Sequence, residues 1–416
     1  MNTFDSALQH AQALDAQDPL AHKRQEFALP PDVIYLDGNS LGALPKTVAP
    51  RMQQAISQEW GVGLIRSWND ADWYPAPQRV GGQIAALIGA KPNEVITCDS
   101  TTVNLFKVLC AAALAQPERN TFICEEGNFP TDAYITESTA ALYGKRIVLA
   151  NQDTIEQVIA QVGNDLCAVA LTQVHYKTGR MLDMARITQL VQARGGRMIW
   201  DLAHSAGALA VQLNATNVDY AVGCGYKYLN GGPGAPAFVY VREDLQASLE
   251  QPLKGWHGHA APFGFEQAYR PHATLDRLLV GTASQLGLIA LEAALQAYAG
   301  VSMQAVRNKS ISLTSLFIEL FDSHVAPLGF GLASPRETAQ RGSQVSFTHE
   351  SGYAIMQALI ERGVIGDFRA PNILRFGFAP LYVSHADCVH AIRILHEVMT
   401  SGAWKDAKYQ SKKAVT

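Results

Sequence analysis

The chain has 416 residues, 48% of them apolar and 17% charged, which is enough apolar material for a large core and too much for a disordered polypeptide. A net charge of −4, from 33 basic against 37 acidic residues with no basic cluster or stripe, gives no expectation of a nucleic-acid partner. The longest uninterrupted apolar run spans residues 108–115, far short of the ~20 a bilayer requires, so no membrane span is expected.

The first 16 residues are polar with scattered acids, and they lack the basic start and apolar centre of a secretory signal. Six cysteines (Cys98, Cys110, Cys124, Cys167, Cys224 and Cys388) stand singly, with no C-x-x-C pair. That is the pattern of buried thiols in a reducing compartment, not of a disulfide framework or a zinc site. The expectation is a cytoplasmic protein with no metal centre.

From about residue 95 short apolar runs alternate with longer segments of helical period. Strands are expected at residues 95–98, 121–124, 146–149, 166–171, 197–200, 220–223 and 237–241, and helices at 104–115, 132–142, 154–162 and 184–194. This alternation predicts an α/β fold, a mostly parallel sheet covered on both faces, with ligands bound beyond the carboxyl ends of its strands. Helical patterns dominate residues 285–321, and strand-like pieces at 344–348 and 373–378 then mix with helices near 353–362 and 386–400. The expected division is an N-terminal arm, 1–45, draped over the small domain, a large domain, 46–290, and a smaller α+β domain, 291–416.

Two stretches carry the chemistry. Asp201-Leu-Ala-His204 begins where an apolar strand ends, so the Asp201 carboxylate should emerge at the ligand edge of the sheet. Lys227 follows the next strand in Gly-Cys-Gly-Tyr226-Lys227-Tyr-Leu-Asn-Gly-Gly-Pro-Gly234, whose glycines allow close backbone approach. A lysine and an aspartate on adjacent strand ends are what pyridoxal 5'-phosphate needs: a Schiff base from the lysine, and a protonated ring nitrogen held by the aspartate. Either residue alone is more simply a surface lysine or a helix cap; the pair in this setting favours the cofactor.

The other strand ends add donors and a ring. Asp99-Ser-Thr101-Thr102-Val-Asn104 opens a helix and supplies hydroxyls and free N–H groups for a phosphate, although ordinary N-capping needs the same residues. In Glu125-Glu-Gly-Asn-Phe129-Pro-Thr-Asp132, Phe129 could stack on a pyridine or belong to the core, and Asp132 could bond ring substituents or cap a helix. Thr172 ends a further strand. His204, at an expected helix start, could reach a phosphate or be a structural histidine.

These elements, with Tyr35-Leu-Asp-Gly-Asn-Ser-Leu-Gly42 and Gly363-Val-Ile-Gly-Asp-Phe-Arg369, resemble the kynureninase family, in its bacterial form, over nearly the whole chain. The resemblance implies a fold-type I pyridoxal-phosphate enzyme that hydrolyses L-kynurenine, and 3-hydroxykynurenine as a further substrate, to anthranilate or its 3-hydroxy form and L-alanine. It implies that Lys227 holds the cofactor and moves protons, that Asp201 pairs with the ring nitrogen, and that Phe129 stacks on the ring. Thr101, Thr102, His204 and Tyr226 would serve the phosphate region, with Tyr226 also a candidate proton donor. Trp256 and Thr282 would reach the phosphate of the neighbouring subunit in a homodimer with shared sites. Arg375 would take the substrate α-carboxylate, and Trp68 is a candidate for the aniline ring. Competing readings are another fold-type I enzyme, such as an aminotransferase or a desulfurase, and a catalytically silent binding protein. A desulfurase needs a reactive cysteine on a late loop, whereas Cys388 falls in an expected helix. A silent relative should have lost Lys227, Asp201 or Arg375.

Overall fold

The computed structural model describes residues 3–411. Helix Thr3–Gln17 opens the chain, followed by the two-residue strand β1 (Ile34–Tyr35). A seven-stranded sheet is built from β2 (Val95–Thr97), β3 (Thr121–Glu125), β4 (Arg146–Ala150), β5 (Leu166–Thr172), β6 (Arg197–Asp201), β7 (Tyr220–Gly223) and β8 (Phe238–Val241). Its order is β2-β8-β7-β6-β5-β3-β4; β8 runs antiparallel to both neighbours and every other pair is parallel. Strands β3, β5, β7 and β8 are buried at every residue. Helices on both faces leave them no solvent side, which is why they read as continuous apolar runs without alternation.

The second sheet comprises β9 (Gly331–Leu332), β10 (Gln344–Thr348), β12 (Asp367–Arg369) and β13 (Ile373–Gly377), in the antiparallel order β12-β13-β10-β9. Strand β11 (Val364–Ile365) pairs instead with β1, in parallel. Helices Met303–His324 and Gly352–Ile360 pack on this sheet, with His385–Thr400 against both, and Phe317 and Phe321 of the first stack on Phe347 of β10 at 5.3 and 4.3 Å.

The N-terminal segment is tied to this second unit by specific bonds. The Asp15 carboxylate accepts N–H bonds from His385 (2.7 Å) and Ala386 (3.0 Å), at the start of helix His385–Thr400. An anion there satisfies orphan donors and complements the helix dipole. Asp18 pairs with the buried Lys309 at 2.6 Å, and Phe4 stacks on His324 at 4.1 Å.

Some elements had no forerunner in the sequence pattern. Helix Val48–Gln54 loosens into a π-helix over Ala55–Gly63 and a 3-10 turn at Leu64–Arg66. Residues 202–209 form successive turns where a helix start was expected. All six cysteines are free and buried, and among the described residues no single helix is long and apolar enough to cross a membrane.

Candidate active site

The carboxyl ends of the parallel strands open on a cavity of about 270 Å³. Its lining includes Thr101, Thr102, Phe129, Asp132, Thr172, Asp201, His204, Tyr226 and Lys227. Nine residues singled out in the sequence are therefore brought to one place by the strand order.

Asp201 is the last residue of β6, in register with Thr172 of β5 and Val222 of β7, and its carboxylate accepts the Ala203 N–H at 2.7 Å. Lys227 lies four residues beyond β7, with its Nζ 3.0 Å from His204 Nε2. The lysine loop is closed by Gly231 N–H donating to the Gly225 carbonyl (2.9 Å), and a Cβ on either glycine would strike Leu291. Its open side is made by Gly232 and Gly234, both at positive φ. From the other side Gly42 donates to the Tyr226 carbonyl at 2.8 Å, and a Cβ on Gly42 would collide with the Lys227 carbonyl. The Asp37–Gly42 segment thus seats directly on the lysine loop.

Asp132 does not cap its helix. Its side chain turns inward, accepting from Asn128 Nδ2 (2.9 Å) and Thr172 Oγ1 (3.2 Å), and it lies within electrostatic reach of Asp201. Burial and the charge of Asp201 push Asp132 well above the usual carboxylate range. Burial also raises Asp201, but the Lys227 charge opposes the rise. Two like charges disfavour each other in a buried site, so the two carboxyls titrate as a pair, with Asp132 the more strongly raised. Burial, and then the Lys227 charge, hold His204 well below its ordinary value, which leaves a neutral imidazole in hydrogen-bond contact with the lysine amine. His204 Nε2 also lies 3.1 Å from the Asn39 carbonyl, and its Nδ1 is buried without a partner. The histidine is thus engaged at the lysine end of the cavity.

Phe129 is 47% exposed and meets Tyr176 edge-on at 5.4 Å, which removes the reading of it as core. At the opposite wall Ser100 caps helix Thr101–Ala115, its Oγ accepting from the Val103 N–H (3.4 Å), so Thr101 and Thr102 are the first helical residues. The turn before them is strained: Asp99 has φ of +49° and is held by Lys107, whose Nζ lies 2.5 Å from its carboxylate. Burial raises the Tyr226 phenol above its ordinary value, so it stays protonated near neutral pH.

Four expected residues lie elsewhere. Trp68, Trp256 and Thr282 line a second cavity of about 500 Å³, together with Tyr74, His257 and Phe263. Arg375 lines neither cavity; it is buried in β13. The resemblance gives Arg375 the substrate α-carboxylate as partner, and the structure already sets an anion beside it in Asp367, with Nε to Oδ1 at 2.7 Å. The sequence reading passed over Asn128, Tyr176 and Asp367. Asn128 and Asp367 had a signal, since each sits in a quoted segment, but the pairing of Asp367 with Arg375, and the place of Tyr176 four residues past β5, are revealed only by the fold.

Solved structures share this architecture. A cysteine desulfurase from Escherichia coli superposes with a TM-score of 0.75 at 21% identity, over 91% of this chain and 99% of its own. A variant of the lyase C-DES, with glycine covalently linked to its pyridoxal-phosphate cofactor, gives 0.76 at 19% identity, over 89% and 98%. At such identities the likeness defines the class: the fold-type I architecture. Sequence comparison goes further. The model of the kynureninase C-terminal domain matches residues 306–395. The kynureninase of Pseudomonas fluorescens is 48% identical over 97% of this chain and 98% of its own, and that of Burkholderia pseudomallei (strain K96243) 47% identical over 100% of both. The chain belongs to the kynureninase family.

Proposed function

We propose that this protein hydrolyses L-kynurenine to anthranilate and L-alanine with pyridoxal 5'-phosphate as cofactor, and that 3-hydroxykynurenine is a further substrate. The observation that carries the reading is the convergence of the Lys227 amine and the Asp201 and Asp132 carboxyls on one cavity. The residues fit the cofactor: an amine for its aldehyde, a carboxylate for its ring nitrogen, hydroxyls at a helix start for its phosphate, and an exposed phenyl ring for its face. When bound, the cofactor supplies an electron sink for negative charge developing on the substrate's carbon atoms.

The chain's own residues do the rest. Lys227 carries the cofactor and, once released as a neutral amine, moves the proton at the substrate Cα. His204, being neutral, contacts that amine without repelling it. Asp201 holds the ring nitrogen, and Asp132, steadied by Asn128 and Thr172, keeps Asp201 in place. Thr101 and Thr102 bind the phosphate and Phe129 covers the ring. Tyr226, protonated at neutral pH, donates a proton to Cβ or to the hydrated carbonyl. Arg375 orients the α-carboxylate.

The active form is a cytoplasmic homodimer. Trp60, Val62, Leu64, Ile65, Phe263 and Phe265 are exposed large apolar side chains, and three of the second cavity's residues, Ile65, Trp256 and Phe263, belong to this apolar surface. A second copy covers it, bringing Trp256 and Thr282 to the partner's phosphate site and Trp68 to the aniline ring. Residues 1–45, 46–290 and 291–416 are the corresponding arm, large domain and small domain. The test is incubation of the purified holoprotein with L-kynurenine: equimolar anthranilate and L-alanine are expected. Transfer of the amino group, or no product from a protein with a bound-cofactor absorbance band, overturns the assignment.

A further inference from the structure

Asp367 stands directly across from Arg375 in the β12–β13 register. Its carboxylate engages one side of the guanidinium, Oδ1 accepting from Nε at 2.7 Å and Oδ2 from Nη2. The outer edge of the fork has neutral partners: Nη2 donates to Ser40 Oγ at 2.7 Å and Nη1 to the Tyr176 carbonyl at 2.8 Å. Tyr176 is itself part of the wall of the 270 Å³ cavity. An arginine has two edges that accept a carboxylate bidentately, and here an internal anion holds the inner one.

We propose that Asp367 is the positioning residue of the substrate-carboxylate site: by gripping Arg375 through Nε it aims the outer Nη1–Nη2 edge at the cavity and reserves that edge for the α-carboxylate. The proposal rests on the reading of Arg375 as the carboxylate-binding residue. A carboxylate is a stronger acceptor than a hydroxyl or an amide carbonyl, so it can replace Ser40 and Tyr176 on that edge without breaking the Asp367 pair. The charge count agrees. Asp367 also pairs with Arg369 at 2.7 Å, so two guanidiniums share one carboxylate. The neighbouring Asp37 is pushed up to about 8, first by burial and then by the Asp367 charge, and adds no second full negative charge at neutral pH. One positive charge is left for the substrate. Without Asp367 a side chain only 2% exposed would have to bury its charge unpaired whenever the site stands empty.

The experiment compares L-kynurenine with kynurenamine, the same molecule lacking the carboxylate, on holoenzyme carrying Asp367→Asn, Arg375→Ala or both. The readouts are kcat/KM for L-kynurenine and the dissociation constant of kynurenamine, titrated by the visible absorbance of the bound cofactor. Asp367→Asn is expected to lower kcat/KM for L-kynurenine by on the order of 10²-fold, the scale set by a misaimed orienting group. Kynurenamine binding should stay within about threefold, and Asp367→Asn should cost nothing further in the Arg375→Ala background. Equal losses for both compounds, additive losses in the double variant, or tighter use of L-kynurenine would each overturn the proposal while leaving Arg375 in its role. If Arg375→Ala leaves L-kynurenine turnover intact, the underlying reading of Arg375 fails and takes the proposal with it. Should Asp367→Asn not fold, Asp367→Glu, which keeps the charge but displaces it by a methylene, takes its place with the same expected loss of carboxylate discrimination.

Discussion

Two buried carboxyls lining one cavity with a lysine give Asp201 a role that can be measured apart from overall turnover. Asp201→Asn keeps the shape and the Ala203 contact but removes the charge that would hold the cofactor ring nitrogen protonated. The step that suffers should be proton removal at Cα, by on the order of 10²-fold or more, the scale of a lost electrostatic partner to a developing charge. Exchange of the substrate Cα proton in deuterated water reads that step directly; an unchanged exchange rate would detach Asp201 from it. Glu125, at the end of β3, offers a second test outside the reaction. Burial raises its carboxyl to about 7, partly opposed by the Gln152 side chain and the Thr172 N–H. Between its unfolded value of about 4.5 and about 7 the native state therefore holds a proton that the unfolded chain has released, so its contribution falls as pH rises through that window and is flat above it. Glu125→Gln should stabilise the apoprotein at pH 8 relative to wild type, by no more than about 3 kcal/mol at 1.36 kcal/mol per unit, and hardly at all at pH 4. Urea melts at the two pH values check the sign; equal shifts at both would refute the buried-acid account.

At the scale of elements, the seven long-sheet strands and the strand at Gln344–Thr348 were legible because strands appear as short, mainly apolar runs bounded by turns, whether buried on both faces like β5 or at the edge like β4. The convergence of Asp201, Thr172 and Lys227 followed from the same pattern, since each residue ends or follows such a run. Strands β9, β11 and β12 were not legible: two or three residues carry no periodicity. The π-helix Ala55–Gly63 was hidden for a different reason, because its large apolar residues, Ile56, Trp60 and Val62, are exposed and no core face marks a period. Arg375 was found by motif, but its partner was not, because Asp367 meets it through antiparallel register eight residues away. The arm supplies a prediction here. Asp15 accepts two N–H bonds at the start of helix His385–Thr400, so Asp15→Ala should cost about 1–2 kcal/mol in chemical unfolding, the value of a lost helix cap. No change would mean that the arm does not stabilise the unit it covers.

For the whole molecule, residues expected at one site lie around two cavities of the same chain: Lys227 at one, Trp256 and Thr282 at the other. The homodimer proposed above would join them across its interface. Mixing Lys227→Ala protein with Trp256→Ala protein and allowing subunits to exchange should restore activity, as one of the two sites in each mixed dimer then has both halves intact. No recovery, with exchange verified by mass, favours sites completed within one subunit.

The central claim is that Lys227, facing Asp201 and His204 at the strand ends, is the reacting amine of a kynurenine hydrolase. Its most direct test is anthranilate production from L-kynurenine by Lys227→Ala beside wild type, both supplied with pyridoxal 5'-phosphate and matched by unfolding midpoint. The account predicts a folded variant with turnover reduced to a trace, because the side chain removed is a covalent anchor and proton carrier rather than a packing element. Substantial anthranilate formation by the variant would contradict it.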